Sequence, residues 1–112
     1  MAFIDSTQMV HGAPLPGWAG SFFHSANMTF AIWEIADGAA PLHEHDHPQE
    51  EVWNVVAGEI AITIDGDQRT VRTGSAVIVP PNTRHSARPI GWCRVIVTDW
   101  PLRHELPGMG RR

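Results

Sequence analysis

Residues 51–72 read EVWNVVAGEIAITIDGDQRTVR, and this stretch decides the fold class. Within it, Glu59–Ile64 alternates polar and apolar side chains, which is typical of a strand with one buried face. Asp65-Gly66 follows directly, and this pair of residues is favoured in tight hairpin turns. Gln68–Arg72 then returns along the first strand. The stretch therefore predicts an antiparallel hairpin.

Short runs of the same kind continue on both sides of this hairpin. They are rich in β-branched and aromatic residues, they are bounded by Gly or Pro, and they recur at spacings of about 8 to 12 residues. No window shows a sustained apolar period of 3.6 residues. The runs are Met28–Ala36, Glu51–Ala57 (which we expect to end at Gly58), Ser75–Val79, His85–Arg88 and Cys93–Trp100. They predict a single all-β domain, an antiparallel sandwich or barrel.

The chain of 112 residues has the length of one domain. The first part is irregular and rich in Gly and Pro, with a short strand expected around Ser21–His24. We therefore divide the chain into an N-terminal arm over residues 1–25, a barrel over 26–103 and a C-terminal tail over 104–112. The arm carries Trp18, Phe22 and Phe23, so we expect it to pack on the barrel or on the partner of a homodimer.

Composition and charge exclude several classes of function. The formal net charge is −4 and all eight basic residues are Arg, so a basic nucleic-acid footprint and a Schiff-base lysine are both absent. A lone cysteine, Cys93, cannot form an internal disulfide or a cysteine-based zinc site. We find no signal peptide and no apolar run long enough for a membrane span. We expect a cytoplasmic protein that binds neither nucleic acid nor membrane.

Histidines carry the clearest chemical signal. Three of the seven lie in the segment HEHDH over residues 43–47, and Pro41 and Pro48 argue against a helix there. In an extended chain, residues two apart share a face, so two imidazoles can reach one ion. By spacing alone, two sets of ligands are possible. One is His43 and His45 with Glu50, and the other is His45 and His47 with Glu51. His85 is a further candidate ligand.

These residues resemble the two motifs of the cupin family. The first motif, G-x5-H-x-H-x3,4-E-x6-G, is matched from the histidine pair to Gly58, and the second, G-x5-P-x-G-x2-H-x3-N, is matched at Gly74, Pro80 and His85. Asn82 replaces a motif glycine, and Asn tolerates the left-handed backbone that the turn requires. Because the acid precedes the motif glycine by seven positions, the resemblance favours Glu51 over Glu50. It implies a metal site formed by His45, His47, Glu51 and His85.

The cupin resemblance also implies a double-sheet jelly-roll barrel with an open cavity. Three imidazoles and one carboxylate suit a single divalent transition-metal ion, namely Fe, Mn, Ni, Co, Cu or Zn. By strand parity, Trp53 should face the ligands beside Glu51, and His43 should lie unligated at the barrel mouth, with a near-neutral titration suited to proton transfer. Cupins include isomerases, decarboxylases and oxygenases as well as non-catalytic binding proteins, so the fold does not decide the function.

The end of the last strand, VTDWPLR over residues 97–103, resembles the small cupins of the pectin-degradation group, which act on unsaturated uronates. The resemblance implies that Asp99 moves a proton and that Trp100 and Arg103 contact the substrate. We therefore expect a metal-dependent isomerase, tautomerase or oxygenase that acts on a small oxygenated acid, which could be sugar-derived. The alternative is a cupin that binds or senses a small molecule without catalysis.

Overall fold

The structure is a computed structural model, and it describes residues 3–106 and 110–111. The predicted all-β architecture is confirmed. A short 3-10 helix at Ser6–Gln8 precedes the strands. The strands are β1 (Val10–Leu15), β2 (Trp18–His24), β3 (Thr29–Ile35), β4 (Leu42–His45), β5 (Glu50–Ile64), β6 (Asp67–Arg72), β7 (Ala76–Val79), β8 (His85–Trp100), β9 (Glu105–Leu106) and β10 (Gly110–Arg111).

Strands β5 and β8 form one long antiparallel ribbon, which we call the β5–β8 ribbon. Its pairing runs from Glu50 opposite Trp100 to Ile64 opposite His85. A straight strand of the 16 residues in β8 would measure about 54 Å at 3.4 Å per residue, whereas the molecule is 38 Å across its longest axis. The ribbon must therefore bend.

The bend lies at Gly58 and at Gly91, which have φ angles of +76° and +69°. The pairing register of the ribbon also shifts between Val55 and Glu59, the interval that contains Gly58. A Cβ atom on Gly58 would collide with the Trp92 carbonyl oxygen, so both the backbone angle and the packing require glycine there. The sequence-based expectation that Gly58 ends a strand is therefore wrong, because the strand continues through the bend.

Bending divides the ribbon between two packed layers. The first layer has the order β1-β2-β3-β8-β5-β7 and uses the end of β8 and the start of β5. The second layer has the order β4-β8-β5-β6 and uses the opposite halves of the same two strands. Side chains from both layers, among them Trp33 and Ile60, form one hydrophobic core. The two layers are the halves of a jelly-roll barrel.

The N-terminal segment is more regular than the sequence suggested. Two strands, β1 and β2, extend the first layer beside β3, where only Ser21–His24 was expected to be a strand. Trp18 and Phe22 are buried in the barrel's own core, at 2% and 0% exposure. Residues 1 and 2 of the predicted arm, and 107–109 and 112 of the predicted tail, lie outside the described residues. Among the residues that are described, no helix has the length and apolarity needed to cross a membrane.

Candidate metal centre

The candidate site lies where the two ends of the β5–β8 ribbon meet. Glu51 and Asp99 are paired at one end of the ribbon, in the first layer. His85 begins β8 at the other end, in the second layer, and is paired with His45 of β4. Because of the bend, Nε2 of His85 lies 3.3 Å from Oε1 of Glu51. Carboxylates from one layer and imidazoles from the other therefore share one site.

Two of the imidazoles are oriented by backbone carbonyl groups. Nδ1 of His45 lies 2.9 Å from the carbonyl oxygen of His43, and Nδ1 of His85 lies 2.8 Å from that of Thr83. A carbonyl oxygen only accepts hydrogen bonds, so each Nδ1 is the protonated donor. This arrangement leaves Nε2 of both rings with a free lone pair, as in histidines whose second nitrogen binds a metal.

His47 completes the group of imidazoles. One nitrogen from each of His45, His47 and His85 lies within 4.8 Å of the others. Nε2 of His47 is 3.1 Å from Oε2 of Glu51, but the contact lacks the direction of a hydrogen bond, and both ring nitrogens of His47 are buried without a hydrogen-bond partner. Among the described residues, Nε2 of His85 is likewise buried without a hydrogen-bond partner. Buried polar atoms without partners are costly, and a bound cation would satisfy Nε2 of His85 and one ring nitrogen of His47.

These residues fit a divalent transition-metal ion. His45, His47 and His85 supply three imidazoles, and Glu51, at 3% exposure, supplies a carboxylate in contact with two of them. Mixed imidazole and carboxylate sets are typical of first-row divalent ions. The four residues predicted from the sequence as ligands are thus brought together. A second group, His47, Glu51 and Asp99, overlaps the first and adds one more carboxylate.

The two carboxylates differ in their preferred charge. Burial, reinforced by the neighbouring carboxylate of Glu51, raises the pKa of Asp99 to about 9. Burial also acts to raise the pKa of Glu51, but its close contacts with His47, His85 and Asp99 outweigh it and hold that pKa well below its ordinary value. These opposite pKa shifts favour a proton on Asp99 beside a charged Glu51.

The imidazoles of His45 and His85 are shifted in opposite directions. Burial lowers the pKa of His45, because the charged ring is less well solvated there. Burial acts to lower the pKa of His85 as well, but its contacts with the Glu51 carboxylate and the Thr83 carbonyl raise it overall. The Glu51 carboxylate therefore contributes to the raised pKa of both His85 and Asp99.

Trp53 and Arg103 surround the carboxylates. The indole N–H of Trp53 donates a 2.6 Å hydrogen bond to Oε1 of Glu51. Nη1 of Arg103 lies 3.7 Å from Asp99 and 4.0 Å from Glu51. The backbone N–H of Arg103 donates to the hydroxyl of Thr29, 2.9 Å away, and this bond fixes the segment after β8 against β3. Arg103 thus has its guanidinium beside the candidate metal ligands although it follows the last long strand.

Two contacts join the loops that carry the histidines. The backbone N–H of Asn82 donates to the His47 carbonyl oxygen at 2.8 Å, and Asn82 has the left-handed backbone that the sequence predicted, with φ of +57°. Arg84, next to His85, pairs with Glu44 at 2.8 Å. The first contact holds the β4–β5 loop, and the second holds β4, against the loop that precedes β8.

A cavity of about 320 Å³ opens beside the centre. It has a polar region at the candidate ligands and an apolar region formed by aromatic and aliphatic side chains. The lining residues are Pro14, Leu15, Trp18, Ala31, Trp33, Leu42, His43, His45, Glu51, Trp53, Val97, Asp99 and Arg103. The cavity has the size of a small-molecule site.

Six of the nine site residues predicted from the sequence border this cavity, and His47, His85 and Trp100 do not. His43, Trp53, Asp99 and Arg103 all line it. Trp100 is 57% exposed and lies outside the cavity lining, so its contact with a substrate stays a prediction. Successive residues of a strand point to opposite faces, so Asp99 and Trp100 cannot both face inward. Sequence reasoning missed Thr29, whose role depends on a contact with a residue 74 positions away.

The two possible ligand registers differ in where they place the acid. Glu50 is exposed and lies opposite Trp100, whereas Glu51 is buried and contacts His47 and His85. His43 is exposed at the rim of the cavity, and its backbone carbonyl orients His45. The geometry therefore corresponds to the register that begins at His45.

Comparison with known proteins agrees with this architecture. The family model described as "Cupin domain" matches residues 31–98. The uncharacterized protein SCO3923 of Streptomyces coelicolor is 33% identical over 64 residues, which are 57% of this chain. The match covers 60% of SCO3923, so the chain spans less than two thirds of that relative's length.

Two solved structures resemble the whole barrel. An RmlC-like cupin from Shewanella frigidimarina superposes with a TM-score of 0.82 at 23% identity, over 92% of this chain and 93% of that one. KdgF from Halomonas sp. superposes with a TM-score of 0.81 at 21% identity, over 92% of this chain and 96% of that one. At these identities the likeness shows the fold alone.

Proposed function

The chain belongs to the cupin family, and we propose that it is a metal-dependent enzyme that acts on a small oxygenated acid. The observation that carries the proposal is the set of buried imidazole nitrogens of His47 and His85 that have no partner and surround the Glu51 carboxylate. The proposed ligands are His45, His47, Glu51 and His85, and the proposed ion is one of Fe, Mn, Ni, Co, Cu or Zn.

The acidity of the substrate is inferred from Arg103. Its guanidinium lies at the cavity beside Asp99 and Glu51, and its side chain is only 20% exposed. A planar guanidinium pairs well with a substrate carboxylate. The chemistry that a divalent ion supplies when bound here is polarisation of a carbonyl or hydroxyl oxygen.

The reaction that these residues favour is an isomerisation or tautomerisation. Both His43 and Asp99 line the cavity, and either side chain can accept or release a proton. In such a reaction one proton leaves carbon for a base and one returns from an acid, so no oxidant is needed. We propose that His43 and Asp99 fill these two roles.

Metal analysis tests the proposal. Protein purified without chelators should contain one divalent ion per chain, and His85→Ala should lose most of it. His104→Ala is the matched control, because His104 is exposed and outside the candidate cluster. Equal metal content in the wild type and His85→Ala would contradict the metal site. Metal-dependent binding of 2-oxo acids without turnover would support the alternative, a non-catalytic binding cupin.

We also propose that the protein is a homodimer that associates through the outer face of the first layer. Trp18 and Phe22 no longer argue for a partner, because both are buried within the chain's own barrel. The outer face still exposes apolar side chains: Phe23 and Phe30 stack at 4.9 Å between ring centroids, and Ile78 is 62% exposed. A face of this kind can pair with its own copy across a two-fold axis.

Light scattering tests the oligomeric state. We expect about twice the 12.4 kDa chain mass at micromolar concentration, and a shift toward the monomer in Ile78→Glu. Gln68→Glu, which adds the same charge to an exposed position on β6, should leave the mass unchanged. A monomeric wild-type protein would contradict this proposal and leave the metal site unaffected.

A further inference from the structure

Inward-facing side chains of the first layer are arranged in successive rows across β3, β8 and β5. The row nearest the metal centre contains Thr29, Asp99 and Glu51, which are paired in register and are all polar. Each following row lies two residues, or about 7 Å, further along the strands. The chemistry of the rows changes abruptly after the first.

The next two rows are entirely apolar in character. Ala31, Val97 and Trp53 form the second row, and Trp33, Val95 and Val55 form the third. Of these residues, Ala31, Val97, Trp53 and Trp33 line the cavity. The cavity therefore extends from a polar head region at Glu51 and Asp99 into a region walled by hydrocarbon and aromatic surface.

Few polar groups are available to a ligand in that region. The indole N–H of Trp18 donates to the Ala40 carbonyl at 2.7 Å, and that of Trp53 donates to Glu51. Leu42 from β4 and Leu15 from β1 complete the apolar wall. A hydroxyl group placed against this wall would lose its hydration without gaining a partner, which is unfavourable.

We propose that the substrate is an amphipathic acid, with a carboxylate and an adjacent oxygen as its head and a short aliphatic or aromatic group as its body. This inference rests on the proposed function for the head, and on the lining by Trp33, Leu42 and Val97 for the body. The volume of about 320 Å³ corresponds to roughly ten water molecules at about 30 Å³ each, so a body of about four to six carbons fits. A polyhydroxylated acid such as a uronate fits this wall less well.

Isothermal titration with three acids tests the inference. The probes are 4-methyl-2-oxopentanoate, which has a branched apolar body, pyruvate, which has the same head alone, and D-galacturonate, which is polyhydroxylated. We expect 4-methyl-2-oxopentanoate to bind at least about tenfold tighter than either of the others, because burial of each added methylene is favourable. Metal content is measured on the same samples.

Two variants test whether the apolar wall of the cavity causes the preference for 4-methyl-2-oxopentanoate. Leu42→Asn should reduce the ratio of the affinities for 4-methyl-2-oxopentanoate and pyruvate at least about fivefold. Val56→Asn makes the same kind of change at a position that is 45% exposed and outside the cavity, and it should leave the ratio unchanged. The ranking in the wild type is decisive even if Leu42→Asn does not fold.

The outcomes separate this inference from the proposal beneath it. Tighter binding of galacturonate or equal binding of the three acids to metal-containing protein would overturn the inference alone. No binding of any of the three would overturn the inference and also count against an acidic substrate. Absence of metal from the wild-type protein would contradict the proposed function. An unchanged affinity ratio in a folded Leu42→Asn protein would also overturn the inference.

Discussion

The two halves of the β5–β8 ribbon resemble each other in backbone structure and differ in what they bring to the site. The half that belongs to the first layer carries the carboxylates of Glu51 and Asp99, and the half that belongs to the second layer carries the imidazole of His85. Neither half forms a complete ligand set by itself. The bend between them is therefore as important to the site as the ligand residues are.

Gly58→Ala should have the largest effect, because it acts on the bend itself. The substitution forces φ of +76° on a residue with a side chain and drives its Cβ into the Trp92 carbonyl and Cys93. We expect a loss of about 3 to 4 kcal/mol in the free energy of unfolding, measured with urea. Gly66→Ala is the control, since Gly66 has φ of +83° and open space around it, and it should cost about 1 kcal/mol. Equal losses would show that the contacts at the bend do not matter.

Glu51→Gln tests the contribution of the first-layer half. It removes the negative charge that contacts His47 and His85, so the affinity for Mn²⁺ or Zn²⁺ should fall at least about 100-fold in competition with a chelating dye. Glu50→Gln alters the neighbouring, exposed acid and should change the affinity less than threefold. A larger effect from Glu50 would mean that the ligand register is the one that begins at His43.

Arg103→Ala tests whether the site beside the first-layer half of the ribbon also binds the carboxylate of a substrate. Loss of the guanidinium should weaken pyruvate binding by about 1.5 to 3 kcal/mol, the size of a hydrogen bond to a charged group, while the metal content stays the same. Arg88→Ala is the matched control, because Arg88 is exposed on the second-layer half of β8. Equal pyruvate affinities in the wild type and Arg103→Ala would remove the argument for an anionic substrate.

A further expected change is in the pH dependence of the stability of metal-free protein, measured in the presence of a chelator. Asp99 has an ordinary pKa of 3.8 and a folded pKa of about 9, so between these values the folded chain binds more protons than the unfolded chain. Stability from this group is therefore complete below about pH 4 and is lost as the pH rises toward 9.

Asp99→Asn keeps the shape of the side chain and removes its titration. The difference in melting temperature between the wild type and this variant should change steadily across that pH window. His85, whose folded pKa is also raised, contributes with the same sign in both proteins and cancels in the difference. A difference that is independent of pH would show that Asp99 is ionised in the folded chain.

The four candidate ligands could be identified from the sequence because they match the two cupin motifs, and strand alternation agrees with that match. The alternation of an extended chain places His45 and His47 on one face, and the parity of β5 turns Glu51 inward and Glu50 outward. The same rule, applied to Asp99 and Trp100, would have excluded Trp100 from the cavity. The prediction for Trp100 followed a resemblance in the order of residues, whereas the strand geometry places Asp99 and Trp100 on opposite faces.

Other features could not be predicted because they depend on distant contacts. A glycine after an apolar run signals a strand end as readily as a bend, and at Gly58 only the pairing of β5 with β8 distinguishes the two. The direction of Arg103 follows from the hydrogen bond of its backbone to Thr29. The N-terminal strands were hidden by their Gly and Pro residues, since pairing with β3 stabilises β2 where intrinsic propensity is weak.

The bent ribbon also determines when the site can form during folding. Pairing of Glu51 with Asp99 and of Ile64 with His85 needs no bend, but contact between Glu51 and His85 does. Until the ribbon closes, the carboxylates and the imidazoles lie at its opposite ends. An ion bound by both should therefore interact weakly with the folding transition state and strongly with the native state. It should slow unfolding while leaving the refolding rate nearly unchanged, so that the metal would protect the barrel kinetically.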